Sequence, residues 1–235
     1  MPGLRALSMT APCALLLLSG GVLAQSDKVT HGVTVSQVAA APTGPASSLT
    51  IDSLMAEFRA VEGLEAQFRE EKKMAILAVP LVSEGTIDFA APDRLVRETT
   101  SPAVSKLLVD SKQLRFSDVG GSQSIPLEGN PVVRLFVDAF VKVLAGDRAA
   151  LEKIFAIELH AVGKGWSMTL TPRLEPMKSV IARMQLDGSG VVMSQMRLIE
   201  VEGDETVTVF RAVNTHRRFS AEESARIFGA PSPSR

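Results

Sequence analysis

From Gly63 onwards, apolar and polar residues alternate at every second position through most of this 235-residue chain. The alternation is clear in Leu81 to Phe89 and without a fault in Trp166 to Thr171. Turn-forming residues, such as Ala91-Pro92-Asp93 and Glu202-Gly203-Asp204, separate the alternating segments. This pattern is typical of an antiparallel sheet whose strands are buried on one face only. Such a sheet needs a second layer to cover its apolar face.

The alternating segments are predicted to be strands. They are Leu64 to Leu77, Leu81 to Phe89, Arg94 to Thr99, Val104 to Val109, Gln113 to Ser117, Trp166 to Thr171, Ser179 to Asp187, Val191 to Glu200 and Glu205 to Ala212. Because few helical segments interrupt them, the predicted fold class is α+β with one large antiparallel sheet.

A short helix is predicted ahead of the strands. Thr50 or Asp52 can cap it, and Leu54, Phe58 and Val61 then form one apolar face. Further short helices are predicted at Asp147 to Phe155 and Ser220 to Phe228.

The segment Pro131 to Ala145 is predicted to be a helix of another kind. Arg134, Asp138 and Lys142 form one narrow charged stripe, and the remaining positions are apolar around most of the circumference. A helix of this composition is expected to be buried on more than one side. Together with the wide sheet it predicts a curved sheet covered by a helical lid, with an apolar cavity between sheet and lid.

The side chains expected to line this cavity are apolar residues of the first helix, the strands and the lid. They are Leu54, Phe58, Phe68, Ile87, Phe89, Leu95, Leu108, Leu114, Phe116, Leu135, Phe136, Phe140, Trp166, Met168, Met184 and Met193. The methionines suit a cavity whose contents vary, because an unbranched thioether side chain adapts to irregular space.

The N-terminal residues have the three-part pattern of a secretory signal peptide. Arg5 precedes an apolar run around Leu15 to Leu18, and small residues follow up to Ala24, where cleavage is expected. The single cysteine, Cys13, would leave with the signal, and the mature protein is expected to be exported. The predicted organisation is a signal peptide at 1–24, a flexible leader at 25–48, one domain at 49–229 and a tail at 230–235.

Charge and motif content exclude several classes of function. The chain has 25 basic and 26 acidic residues, which provides no basic surface for nucleic acid. No metal site and no cofactor are expected, because there is one cysteine and the histidines are isolated in sequence. No HExxH, GxSxG, Walker or GxGxxG motif occurs, so we expect no enzyme. The charged cluster Glu70 to Lys73 is interpreted as a solvated strand face.

Two stretches resemble a known family. Gly85 to Pro102 and Leu107 to Leu114 are similar, in order and spacing, to the run G-x-L-x-F-x-x-P, L-R-W-x-x-x-x-P and L-V-x-D-G-x-x-L of the outer-membrane lipoprotein carrier family LolA. The resemblance covers about Leu49 to Gly229. It departs at Arg97 and Thr99, which stand where the family has tryptophan and tyrosine.

The resemblance implies an incomplete antiparallel β-barrel, a curved half-barrel covered by a helical lid over an apolar cavity. It also implies that the protein is located in the periplasm and works there as a chaperone. Family members take acylated lipoproteins from an inner-membrane exporter and hand them to an outer-membrane acceptor, with the acyl chains in the apolar cavity. In that family a strand arginine helps to hold the lid closed, and Arg94 and Arg97 are the candidates for this latch. The departures indicate a divergent branch, for which a glycolipid is an alternative cargo.

Two interpretations of function therefore remain open. The first is a monomeric periplasmic carrier of lipoproteins or related lipids. The second is a periplasmic sensor or envelope-assembly module of the same fold that binds a protein partner without transporting cargo.

Overall fold

The structure is a computed structural model and describes residues 49–110, 112–127 and 139–229. The predicted signal peptide, leader and tail lie outside these ranges, as do residues 131–138 of the predicted lid. Within the described ranges, no helix is long and apolar enough to cross a membrane.

Helices lie at both ends of the domain and in one central insertion. The helices are α1 (Ile51–Arg59), α2 (residues 139–144), α3 (Arg148–Ile154) and α4 (Ala221–Phe228). The strands are β1 (Gly63–Lys73), β2 (Leu81–Ala90), β3 (Arg94–Ser101), β4 (Ser105–Val109), β5 (Gln113–Asp118), β6 (Gly121–Pro126), β7 (Phe155–Val162), β8 (Gly165–Pro172), β9 (Ile181–Ser189), β10 (Val192–Glu200) and β11 (Glu205–Asn214).

The strands form one antiparallel sheet of eleven strands in the order β6-β5-β4-β3-β2-β1-β11-β10-β9-β8-β7. The first strand, β1, lies in the middle, between β2 and β11. The sheet is curved and open, with β6 and β7 as its two edges. This is the large antiparallel sheet with few helices that the alternation predicts.

Thr50 begins α1 as its N-cap. Its hydroxyl accepts a hydrogen bond from the backbone N–H of Ser53, and the Ser53 hydroxyl accepts one from the backbone N–H of Thr50, both at 3.1 Å. Leu54 and Phe58 are buried on the face that contacts the sheet. The Phe58 ring meets the edge of Trp166 on β8 with 6.0 Å between ring centroids. The predicted cap and apolar face are therefore both present.

The two faces of the sheet are covered by different helices. We call the face that packs against α1, α2 and α3 the inner face, and its core includes Leu54, Leu144 and Leu151 from these helices. The other face, the outer face, packs against α4, where Phe228 lies among Val96 and its neighbours. The inner face holds most of the buried apolar side chains.

Some boundaries differ from the prediction for identifiable reasons. The edge strand β6 has the sequence Gly-Ser-Gln-Ser-Ile-Pro, which has too few apolar residues for an alternation to show. Phe155, predicted to end a helix, begins β7 because α3 ends at Ile154. The first strand ends at Lys73, because residues 74–77 form a turn in which the Leu77 N–H donates to the Met74 carbonyl at 3.0 Å.

Candidate functional site

An apolar crevice lies on the inner face, between α2 and the middle of the sheet. It encloses about 260 Å³ of space, including the part that opens to solvent. Every side chain that lines it is apolar: Leu64, Ala66, Ile87, Phe140, Leu144, Met193, Phe210 and Val213. Transfer of an apolar chain from water into this crevice is therefore expected to be favourable.

Strand register brings the sheet residues of the crevice together. Directly opposed residues of antiparallel strands point to the same face, so Ala66 of β1 and Ile87 of β2, which are paired, both face α2. On β11, Phe210 and Val213 line the crevice although they are three positions apart, and residues on one face of a regular strand are two apart. A break in the β1–β11 register, with Ala212 at φ 48°, accounts for this spacing. The irregularity thus places Val213, and not Ala212, beside the crevice.

Glycine and arginine residues hold α2 against α1. Gly146 follows α2 with φ 63°, and a Cβ at this position would collide with the Met55 carbonyl oxygen of α1. Arg59, the last residue of α1, donates from Nη2 to the Gly146 carbonyl at 3.0 Å. This junction fixes the C-terminal end of α2, so we name it the α1–α2 junction.

Toward the other end of β1, the inner face becomes polar. Glu70 and Lys72 point inward and are only 3% and 4% exposed. The interpretation of Glu70 to Lys73 as a solvated strand face is therefore wrong for these two residues. The physical reason is that the even-numbered residues of β1 share the face of Leu64, so burial continues along this row after the apolar residues end.

Glu70 is the centre of a buried polar network. Its Oε1 lies 2.9 Å from Nη2 of Arg97, and its Oε2 accepts a hydrogen bond from the Thr208 hydroxyl at 2.9 Å. Arg97 also donates to the Ser83 hydroxyl at 3.3 Å, and its guanidinium lies 4.2 Å from the ring centroid of Phe68. Groups on four strands thus satisfy the two buried charges.

The electrostatics of Arg97 reflect this balance. Burial lowers the pKa of Arg97, while the charge of Glu70 and its hydrogen bond oppose the shift.

A second buried ion pair lies nearby on the same face, where Nζ of Lys72 is 2.8 Å from Oε1 of Glu200. The inner face therefore combines an apolar half, which holds the crevice, with a half that carries paired charges.

The sequence matches a known family over most of its length. Residues 43–226 match the family described as outer membrane lipoprotein carrier protein LolA-like. The chain belongs to this LolA-like family. No curated protein matches the sequence.

Solved structures similar to this LolA-like chain share little sequence with it. A LolA superfamily protein from Nitrosomonas europaea is 11% identical with a TM-score of 0.42, covering 74% of this chain and 97% of that one. A putative outer membrane lipoprotein-sorting protein domain from Vibrio parahaemolyticus is 6% identical with a TM-score of 0.45, covering 74% and 93%. The MucA/MucB complex of Pseudomonas aeruginosa includes a chain that is 13% identical with a TM-score of 0.46, covering 73% and 59%.

The structure divides the predicted cavity residues of this LolA-like chain into groups. Ile87, Phe140 and Met193 line the crevice. The following lie elsewhere in the inner-face core or pack against it: Leu54, Phe58, Phe68, Phe89, Leu95, Leu114, Phe116, Trp166, Met168 and Met184. Leu135 and Phe136 lie outside the described residues.

The prediction that Leu108 lines the cavity is wrong by one residue. It is buried in the outer-face cluster with Val96 and Phe228, and so cannot line a cavity on the inner face. Its neighbour Leu107 packs against the inner-face core, because Leu107 is opposed to the inward-facing Arg97 in the β3–β4 register. The apolar pair Leu107-Leu108 offers no polar residue from which the face could be predicted.

Several residues that line the crevice were not among those predicted. Leu64 and Ala66 precede Phe68 at alternate positions on β1, and Leu144 is one helical turn after Phe140. These were detectable from spacing alone, by extending each predicted face. Val213 was not, because the β11 irregularity breaks the alternation. Phe210 was not either, because Thr206 and Thr208 share its face while the valines between them point to the other side.

The two latch candidates lie on opposite faces. Arg94 is on the outer face, with its guanidinium 5.0 Å from the ring centroid of Phe228, so it cannot hold a lid on the inner face. Arg97 is on the inner face, and its contacts within the described residues are Glu70, Ser83 and Phe68. In the described residues, Arg59 holds the C-terminal end of α2 to α1.

On the outer face, the carboxyl group of Asp88 has an altered pKa. Burial, together with the nearby charges of Glu65 and Glu98, raises the pKa of Asp88 to about 6. Glu65 is directly opposed to Asp88 in the β1–β2 register and is bound by Arg217 at 2.9 Å. Within the described ranges, no three histidine, cysteine or carboxylate residues are placed to hold a metal ion.

Proposed function

We propose that this LolA-like protein is a periplasmic carrier that shields the acyl chains of lipoproteins or related lipids between the inner and outer membranes. The observation that carries the proposal is the crevice under α2, whose lining is entirely apolar. An inner-membrane exporter would load the protein and an outer-membrane acceptor would unload it. The apolar N-terminal segment supports export to the periplasm with removal of residues 1–24.

Shielding has a clear energetic basis. Each methylene group removed from water contributes about 0.8 kcal/mol, so an acyl chain is strongly driven into an apolar site. The crevice is almost closed, because the cavity volume beneath α2 is about 10 Å³, far below the roughly 300–1,000 Å³ of ordinary ligand pockets. Loading would therefore widen it, and α2 is the covering element that would move. Movement about the α1–α2 junction would leave the sheet intact.

The polar half of the inner face favours an amphipathic cargo. Arg97 and Ile87 are directly opposed in the β2–β3 register, so the buried charges begin beside the crevice. An acyl chain longer than the apolar half would have to displace paired charges, which costs several kcal/mol. This limits the acyl chain to the crevice and keeps the polar part of the cargo outside it.

Purification from periplasm tests whether the protein carries a lipid. We expect native mass spectrometry to show a co-purifying lipid or acylated polypeptide. We also expect a fluorescent fatty acid to bind the emptied protein. A protein that is always empty and does not bind the fatty acid would contradict the proposal.

Phe140→Glu tests whether α2 covers the cargo. The charge would face the apolar crevice, so binding of the fatty acid should be lost. The matched control is Val119→Glu, because Val119 is 97% exposed in the turn between β5 and β6. Binding at parental affinity in Phe140→Glu, with native circular dichroism, would show that the crevice is not the acyl site.

The edge strand β7 favours a second candidate function, which is binding of a protein partner without lipid transport. Among the described residues, β7 pairs only with β8, and its other edge is open along eight residues. An open edge can accept an extended partner segment as an additional strand. Ala161→Pro on this edge would then abolish partner binding and leave fatty-acid binding unchanged. If the protein is instead a carrier, Phe140→Glu abolishes its function and Ala161→Pro does not.

A further inference from the structure

The hairpin between β1 and β2 ends in an exposed apolar loop. Residues 74–80 read Met-Ala-Ile-Leu-Ala-Val-Pro, and no charged residue occurs from 74 to 82. Ile76 is 84% exposed, Val79 63% and Leu77 41%. Exposed apolar residues are common singly, but three within one loop form a patch that calls for a partner.

The loop is held in this position by hydrogen bonds. The Leu77 N–H donates to the Met74 carbonyl at 3.0 Å and closes a turn with Ile76 at its tip. The Ala75 N–H donates to Oδ1 of Asp204, in the turn between β10 and β11, at 3.0 Å. The neighbouring turn thus supports an outward-pointing apolar tip.

Exposed apolar residues recur in the other turns at this end of the sheet. Antiparallel strands place the β1–β2, β3–β4, β5–β6, β8–β9 and β10–β11 turns at one end, which we call the hairpin end. Of the nine large apolar side chains that are exposed in the described residues, seven lie there, and Val162 and Val192 lie at the opposite end. The seven are Ile76, Leu77, Val79, Val104, Val119, Leu174 and Val201.

We infer that the hairpin end docks onto the surface of a lipid bilayer. The apolar tips extend from the β5–β6 turn to the β8–β9 turn, and with about 4.8 Å between strands they spread over roughly 40 Å along the curved sheet. A bilayer can contact such separated tips together, since it needs no matching shape. Apolar side chains that enter the interfacial layer supply the affinity.

Charge indicates what kind of bilayer surface this end suits. The five turns contain two basic residues, Arg173 and Lys178, and three acidic residues, Glu175, Glu202 and Asp204. This end therefore has no basic patch for anionic headgroups. Docking should depend on apolar contact, and neither anionic lipid nor low salt should be required.

Vesicle flotation tests the inference. The probes are vesicles of phosphatidylcholine alone and with added phosphatidylglycerol, and the protein is the full chain as purified from periplasm. We expect the parent to float with both kinds of vesicle and the triple variant Ile76→Ser, Leu77→Ser, Val79→Ser to bind at least tenfold more weakly. The control is Val162→Ser with Val192→Ser, which removes exposed apolar side chains from the opposite end and should bind as the parent does. All three proteins share the same N-terminal residues, so any contribution from these is equal.

Fluorescence gives a second readout at the tip itself. Trp166 is the only tryptophan and is buried, so Ile76→Trp adds one exposed reporter. Its emission should shift to shorter wavelength when phosphatidylcholine vesicles are added, and the parent's emission should not. Absence of this shift, equal binding by parent and triple variant, loss of binding in the control, or binding only with phosphatidylglycerol at low salt would each overturn the inference.

Membrane docking and acyl carriage can be separated experimentally. The triple variant should keep fatty-acid binding in solution, because its changes lie away from the crevice. Phe140→Glu should keep vesicle binding. A protein that binds fatty acid but no vesicle would refute docking alone, and one that binds vesicles but no fatty acid would refute carriage alone.

Discussion

Arg97 on β3 reaches over β2 to Glu70 on β1, with 2.9 Å between Nη2 and Oε1 and both side chains almost fully buried. Removing one partner of such a pair leaves an unpaired charge, which costs about 3–5 kcal/mol, whereas replacing both with apolar residues is often neutral. Arg97→Met should therefore lower the free energy of unfolding by this amount. Arg97→Met with Glu70→Met should lower it by less than Arg97→Met alone.

Urea denaturation of the single and double variants measures this coupling. The control is Arg69→Met, which removes exposed ion pairs with Glu71 at 3.0 Å and Glu84 at 2.9 Å and should change the free energy of unfolding by less than about 1 kcal/mol. Equal losses for Arg97→Met and Arg69→Met would show that the buried network adds no special stability.

Asp88 predicts a specific dependence of stability on pH. Its pKa is about 6 in the folded protein, whereas a carboxyl group in an unfolded chain titrates near 4. Because the folded state binds the proton more tightly, Asp88 favours folding below pH ~4, and this contribution is lost as pH rises through 6. Asp88→Asn should thus be more stable than the parent above pH 6, and the difference should shrink toward pH 4. Thermal unfolding across this range, with the exposed Glu158→Gln as control, decides the matter; a constant difference would contradict it.

Gly146 predicts the sensitivity of the α1–α2 junction. An alanine there meets two obstacles, the positive φ of 63° and the collision with Met55, whereas at Gly163, with φ 58°, an added Cβ would meet nothing within 4 Å. Gly163→Ala should therefore cost about 1–2 kcal/mol from backbone strain alone. Gly146→Ala should cost clearly more, and it should also alter fatty-acid binding by shifting α2. Similar losses in calorimetry would mean that the junction tolerates the added methyl group.

Leu108 predicts that the outer-face cluster can be changed without affecting the crevice. Leu108→Ala should destabilise the protein by about 2–5 kcal/mol, because it opens a cavity beneath Phe228. Fatty-acid binding by the folded fraction should be unchanged. A large loss of binding affinity at a temperature where the variant is folded would contradict the position of Leu108 on the outer face.

Alternation and capping residues were enough to predict most strands, α1 and the short helices. They failed where the chain is at an edge, as in β6, which has few apolar residues to alternate. They also failed at Glu70 and Lys72, because the sequence does not show that a charged residue will pair with a residue of another strand.

An apolar site between a helix and the sheet was predicted from the sequence, but only some of its residues were. Phe140 and Ile87 follow from the lid and strand patterns, whereas Val213 depends on the break in register near Ala212, which alternation cannot reveal. The latch candidates were chosen by resemblance to a motif. Side-chain direction, set by register, then placed Arg94 outside and Arg97 inside.

Because the sheet edges at β6 and β7 are open, the number of strands does not by itself fix the space beside the inner face. In a closed barrel, strand number and stagger determine the diameter, so capacity changes only by rebuilding the ring. This sheet has no closed circumference in the described residues. A chain with this fold can therefore change the space beside its inner face by lengthening an edge strand or by changing the distance between the two edges, and the hydrogen-bonded centre around β1 need not change. The same scaffold can in this way present apolar crevices of different size.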